Sequence, residues 1–217
     1  MAAILYLLAI LVPVRLNFPS PCQAAAAADD KIPLTEEGKK LAEQLDSHWR
    51  EQLRPRLDEM TDAEYRLEPA PGAWNVRPRG TGSVHISVGG GELTMDFAIP
   101  EPVPPPVTTI AWRLGHIIVG VFGQRNASHF GGPAADYETF DYAGTAVRAL
   151  RQLDQEYATW VKGVRDLGAD GLSRPCGPAE GPWADHPMAD LVLHINKETI
   201  HHAAEIALLR DLYLWKG

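Results

Sequence analysis

Residues 187–215, PMADLVLHINKETIHHAAEIALLRDLYLW, decide how this chain is read. Leu191, Ile195, Glu198, His202, Ile206, Leu209 and Tyr213 follow one another at intervals of three or four, so they share one face of a helix. Its flanking residues make that the face turned to a core. Two of its members are a carboxylate and an imidazole, and burying such groups without partners is unfavourable enough that something must satisfy them. Proline 187 suits the first turn, and the helix is predicted to run to about Trp215, a length of about 40 Å.

Working outward, TTIAWRLGHI (108–117) opens a second helix, capped by Thr108 or Thr109 and ended by Gly131-Gly132-Pro133 after about Phe130. Trp112, His116, Val119 and Gly123 form its stripe, with an imidazole in the middle. A first helix is predicted from Thr35, its cap, to about Leu57, with Leu41, Leu45, Trp49, Leu53 and Leu57 on its apolar face. Another spans Ala143 to Leu167 and buries Leu150, Leu153, Tyr157, Trp160 and Val164. Thr61 and Glu64 form a capping box for a short turn, and PAPGAWNVRPRG (69–80) reads as a loop anchored by Trp74. Between Val84 and Ile99 the pattern alternates about Gly89-Gly90-Gly91, as in a β-hairpin, and EPVPPP (101–106) closes that segment off. The expectation is an all-α four-helix bundle over residues 35–217, with a small β-hairpin inserted between helices one and two.

Residues 1–34 are expected to be a signal-like or disordered extension. ILYLLAILVPV (4–14) has the length of a signal h-region, but no Lys or Arg precedes it and it is too short to span a bilayer as a helix. A cytoplasmic location is therefore preferred, with export through this segment as the alternative. A net charge of −8 argues against a nucleic-acid partner, which needs clustered basic residues. The two cysteines, Cys22 and Cys176, lack the spacing of a zinc finger or a CxxC redox site, and Cys176 reads as an inert loop thiol.

The chemistry rests on three side chains. Glu198 and His202, one turn apart, can converge on one ion, and His116 from a facing helix supplies a third ligand. Two imidazoles and a carboxylate suit a catalytic zinc with an open fourth position; the same set also serves non-haem iron. Buried alone, His116 reads as a satisfied core histidine, and Glu198 as a partner of Arg113 or His201. His194 and His201 flank the ligand stripe as supporting residues, with His201 the nearer to the ion, and Arg113 joins them. His48 faces solvent or the site mouth, while His85, His129 and His186 carry no assigned role.

Taken together, HPMADLVLHINKETIHHAAEIALLRDLY (186–213), TTIAWRLGHI (108–117) and TDAEYRLEPAPGAWNVRP (61–78) resemble the DinB-like superfamily of metal-binding four-helix bundles. That superfamily includes mycothiol-dependent maleylpyruvate isomerases and bacterial thiol S-transferases. The resemblance covers most of the chain from the first helix onward. It implies a ligand set of one histidine on the second helix with an E-x3-H pair on the last, which matches His116, Glu198 and His202, and it implies zinc. It further implies that the metal binds the sulfur of a low-molecular-weight thiol such as mycothiol and readies it to attack a small electrophile, in detoxification. The competing expectation is a non-catalytic metal-binding bundle, with a structural ion or a stress-response role. A homodimer is compatible with either.

Overall fold

The computed structural model describes residues 34–82, 84 and 86–216. The expectations for the first 33 residues, including Cys22, and for His85 lie outside the described residues. The chain is mostly helical, with one small antiparallel sheet.

Helix α1 (Leu34–His48) includes Thr35. It continues without a break through a wider π-type segment, Trp49–Leu53, into a last turn at Arg54–Arg56. Short helix α2 (Asp62–Arg66) carries the capping box: the Thr61 side chain accepts from the Glu64 amide, and Glu64 accepts from the Thr61 amide at 2.7 Å. Helix α3 (Ile110–His116), capped by Thr109, runs through a second π-type segment (Ile117–Gly123) into α4 (Gln124–His129). Helix α5 (Ala146–Asp166) starts three residues later than Ala143, because the Thr145 side chain caps it by accepting from the Arg148 amide. After α6 (Gly168–Ser173) and a 3-10 turn at Pro178–Trp183 comes α7 (Met188–Lys216), the longest helix at 29 residues.

Side chains decide how these helices pair. Trp49 of the π-type segment stacks flat on Tyr157 of α5 with ring centroids 3.7 Å apart, and Phe122 meets both rings edge-on. Asn196 of α7 donates to the Leu41 carbonyl at 2.8 Å, while Arg56 pairs with Asp211 at 2.7 Å. The first helical stretch and α7 therefore run side by side in the same direction. The core fills with Leu45, Leu57, Phe122, Leu153, Trp160 and Ile206, all at most 1% exposed. Burying a side chain of this size stabilises the fold by about 1.5–3 kcal/mol.

The sheet differs from the expected hairpin. Strands β2 (Ile86–Val88) and β3 (Leu93–Phe97) pair about the glycine turn, but β1 (Val76–Pro78) joins on the other edge of β3, giving the order β1-β3-β2. Residues 76–78 fall within the Pro- and Gly-rich 69–80 stretch, whose composition predicts a loop. What recruits them is polar and tertiary: Asp96, 2% exposed, accepts from the Asn75 amide and from Arg77, and Arg77 also pairs with Glu68 at 2.6 Å. The sheet in turn holds α3, since the Trp112 indole N–H donates to the Asp96 carbonyl at 2.8 Å. Trp74 anchors its loop as expected, packing on Phe97 and Trp112.

Glu64 ties α2 to the last helix through Arg210, whose Nε donates to it at 2.9 Å. Burial would raise the Glu64 pKa, but the Thr61 amide and Arg210 outweigh it and hold the carboxyl below its usual range. A depressed carboxylate contributes its stability in full above its ordinary pKa of 4.5 and loses it as the pH falls through the lower folded value. Glu64→Gln is expected to lose about 1–3 kcal/mol at pH 7. Urea titrations of both proteins should show the gap narrowing as the pH is lowered from 5 to 3, and a gap that widens on acidification contradicts this account.

Candidate metal centre

Helices α3 and α7 bring His116 and His202 together. Their rings stand edge to face with centroids 4.8 Å apart, and both residues are buried, at 6% and 7% exposure. Glu198 lies one turn before His202 and is half-buried, with its Oε2 3.5 Å from His202 Nε2. It is thus only partly withdrawn from solvent and not in the core proper. Two donors bound to one zinc at 2.0–2.2 Å stand about 3.3 Å apart in a tetrahedral arrangement, so this separation suits a shared ion.

The protonation of the group also suits a cation. Burial pushes the His116 pKa down to about 3, with further lowering by His202 and Arg113, so this imidazole is neutral and keeps a lone pair. Glu198 is held as a carboxylate at about 2, chiefly by its hydrogen bond with His202. For His202, burial disfavours the charged ring, yet hydrogen bonds with Glu198 and Glu205 prevail and its pKa is raised. Two carboxylates against one ring mark a place where positive charge is stabilised, which suits a bound cation.

Supporting contacts surround the rings. His116 Nδ1 is 2.8 Å from the Tyr137 hydroxyl, which burial keeps protonated, and Trp112 stacks on the other side at 5.6 Å. That hydroxyl fits only because residue 120 is glycine, since a Cβ there would fall on it. Gly120 belongs to the π-type segment that begins directly after His116, a distortion common at functional sites. Arg113, over the Trp112 ring at 5.5 Å, pairs with Glu205 at 3.0 Å and not with Glu198.

The remaining sequence-derived residues are placed as follows. His201 is 60% exposed at its side chain, on the outer side of His202, with Nε2 3.7 Å from Glu205 Oε1. His201, His202 and Glu205 nevertheless have donor atoms within 4.8 Å of one another, a group that could hold a divalent metal. His194 is half-buried one turn before Glu198, and burial lowers its pKa. His48 is half-buried.

His129 is not a loop residue without a role. It ends α4 and binds Glu180 at 2.9 Å, where Glu180 also meets Arg125 at 3.3 Å, fastening the 175–187 loop to α4. His186 is exposed beside Asp190. Cys176 is buried, its thiol faces the Pro187 carbonyl, and burial raises its pKa, which agrees with an inert cysteine.

Reasoning from sequence missed Glu205, Tyr137 and Gly120. Helical arithmetic carried the signal for Glu205, three residues after His202 on the same face, whereas Tyr137 lies in a loop with no periodicity to reveal it.

The model of the DinB superfamily matches residues 44–206, which include every element of this centre, and the chain belongs to that superfamily. No curated protein and no solved structure matches it. Among the described residues no helix is long and apolar enough to cross a membrane.

Gly120→Ala is expected to drive Tyr137 off His116 and to destabilise the protein by about 1–3 kcal/mol. Tyr137→Phe removes one buried hydrogen bond, worth about 1 kcal/mol. Because deleting the hydroxyl removes the nearest atom that the new Cβ strikes and leaves the ring carbon at 2.8 Å, the double variant should lose less than the two losses added. Strict additivity in thermal or urea unfolding would count against a clash at this point.

Proposed function

We propose that the chain is a four-helix bundle in which His116, Glu198 and His202 hold one divalent metal, zinc, and that it transfers a low-molecular-weight thiol such as mycothiol to a small electrophile. What supports this reading is the meeting of the neutral His116 ring with His202 across α3 and α7, and the Glu198 carboxylate 3.5 Å from His202 Nε2. Two imidazoles and one carboxylate are the donor set of catalytic zinc sites that keep a position for water or substrate. When bound, the metal supplies a Lewis acid that lowers the pKa of a coordinated thiol.

The residues of the chain do the rest. Tyr137 and Trp112 fix the plane of His116, and Glu205 fixes one nitrogen of His202. The two imidazoles are buried, and Glu198 beside them is partly exposed to solvent. Arg113, buried against Trp112 and bound to Glu205, adds positive charge beside the imidazoles. A sulfur nucleophile needs its proton removed as the new carbon–sulfur bond forms, and positive charge at the site favours the thiolate. Such thiols are kept reduced in the cytoplasm, where we place the protein. His194, half-buried one turn before Glu198, stands next to that carboxylate as a supporting residue.

Elemental analysis of the purified protein should find zinc, and chelation should remove it while most helicity survives. His202→Ala is expected to abolish metal binding without unfolding the helices, and Glu198→Gln to weaken it. Full metal occupancy in His202→Ala refutes the ligand assignment. Mycothiol, bacillithiol and glutathione screened against common electrophiles then test the chemistry. A chelated protein that loses its fold points instead to a structural ion.

A further inference from the structure

His202 has a carboxylate at each ring nitrogen. Glu198 Oε2 is 3.5 Å from Nε2, and Glu205 Oε2 is 2.7 Å from Nδ1. These contacts differ in kind. At 2.7 Å the second is a short charge-assisted hydrogen bond, and since an ionised carboxylate only accepts, Nδ1 must carry the proton. Arg113 Nη1 also lies 3.3 Å from Nδ1, but a guanidinium is a donor and cannot bond to an N–H. Its useful contact is the ion pair from Nη2 to Glu205 Oε1 at 3.0 Å, which holds the carboxylate against the ring. With Nδ1 committed, the coordinating nitrogen of His202 is Nε2, on the side of Glu198.

Glu205 has a second conceivable use. His201, His202 and Glu205 are close enough to make an ion site of their own on the outer side of α7. With Glu205 Oε2 against Nδ1, that site needs His202 to coordinate through Nδ1 and Glu205 to give up the ring N–H. Its third member, His201, is 60% exposed at its side chain, whereas His116 on the inner side is buried. The two uses exclude each other at Nδ1.

We propose that Glu205 is a positioning residue for the metal centre: it accepts the Nδ1–H of His202, fixes the tautomer that turns Nε2 toward Glu198 and His116, and is not itself a ligand. The proposal rests on the metal-site reading given above. It makes α7 carry a ligand pair and its orienting carboxylate within eight residues, from Glu198 through His202 to Glu205, with Arg113 of α3 closing the chain of contacts from the facing helix. Carboxylates that orient metal-bound imidazoles in this way commonly change metal affinity by about 10–100-fold when removed.

The test uses the full chain and Zn2+, with affinity measured by competition against a chromogenic chelator. Glu205→Ala is expected to weaken binding about 10–100-fold. Glu205→Gln, which keeps a neutral acceptor in the same place, should recover part of that loss, and His201→Ala should bind like the parent. With Co2+ in place of zinc, the exchangeable N–H of His202 should give a metal-shifted proton resonance in the parent and in Glu205→Gln, and lose it to solvent exchange in Glu205→Ala. Parent-like affinity in Glu205→Ala, or a loss in His201→Ala equal to that in Glu205→Ala, overturns the proposal. His116→Ala separates the two readings. If it binds like the parent, the metal site itself is wrong and the proposal goes with it; if it loses the ion while Glu205→Ala does not, only the positioning role falls.

Discussion

Two imidazoles pressed together between facing helices are the constraint around which the rest of this protein is arranged. His116 and His202 are withdrawn from water, and neither can be left without partners at that depth. The structure answers each nitrogen differently. Tyr137 meets His116 at Nδ1, and two carboxylates bracket His202. His116 is consequently neutral while positive charge is favoured on His202, so the pair is asymmetric although both rings occupy similar surroundings.

Backbone geometry serves that contact from both sides. On α7 the steps from Glu198 to His202 to Glu205 are four and three residues, which stack one carboxylate, one imidazole and a second carboxylate along one face. On the α3 side the helix widens directly after His116, and the glycine at 120 admits the Tyr137 hydroxyl. The sheet adds a distant support. Asp96, fixed by Asn75 and Arg77, offers its carbonyl to Trp112, and Trp112 stacks on His116, so the strands reach the centre through a single indole.

Charge pairs that look peripheral fix how the helices sit. Arg210 with Glu64 and Arg56 with Asp211 hold the end of α7 against the first helical stretch, and Asn196 holds its middle. Glu180 gathers Arg125 and His129 beneath the loop that leads into α7. Most of these contacts join residues more than fifty positions apart, and none of them leaves a local pattern in the chain.

The long helices, their caps at Thr61 and Thr109, and the meeting of His116 with His202 were legible because helical periodicity and capping are local properties of neighbouring residues, whereas the cap at Thr145 went unread. Glu205 was legible in principle by the same arithmetic. Strand β1 was not, because Val76–Pro78 pairs through the buried Asp96 and not through any alternation of its own. Nor were Tyr137, the burial of His129, or the partner of Arg113. By itself, then, the sequence determined which faces of which helices are apolar and which polar groups those faces carry inward. Only the tertiary structure decided which nitrogen of each imidazole is engaged and by what, because that depends on distances between segments that local propensity does not set.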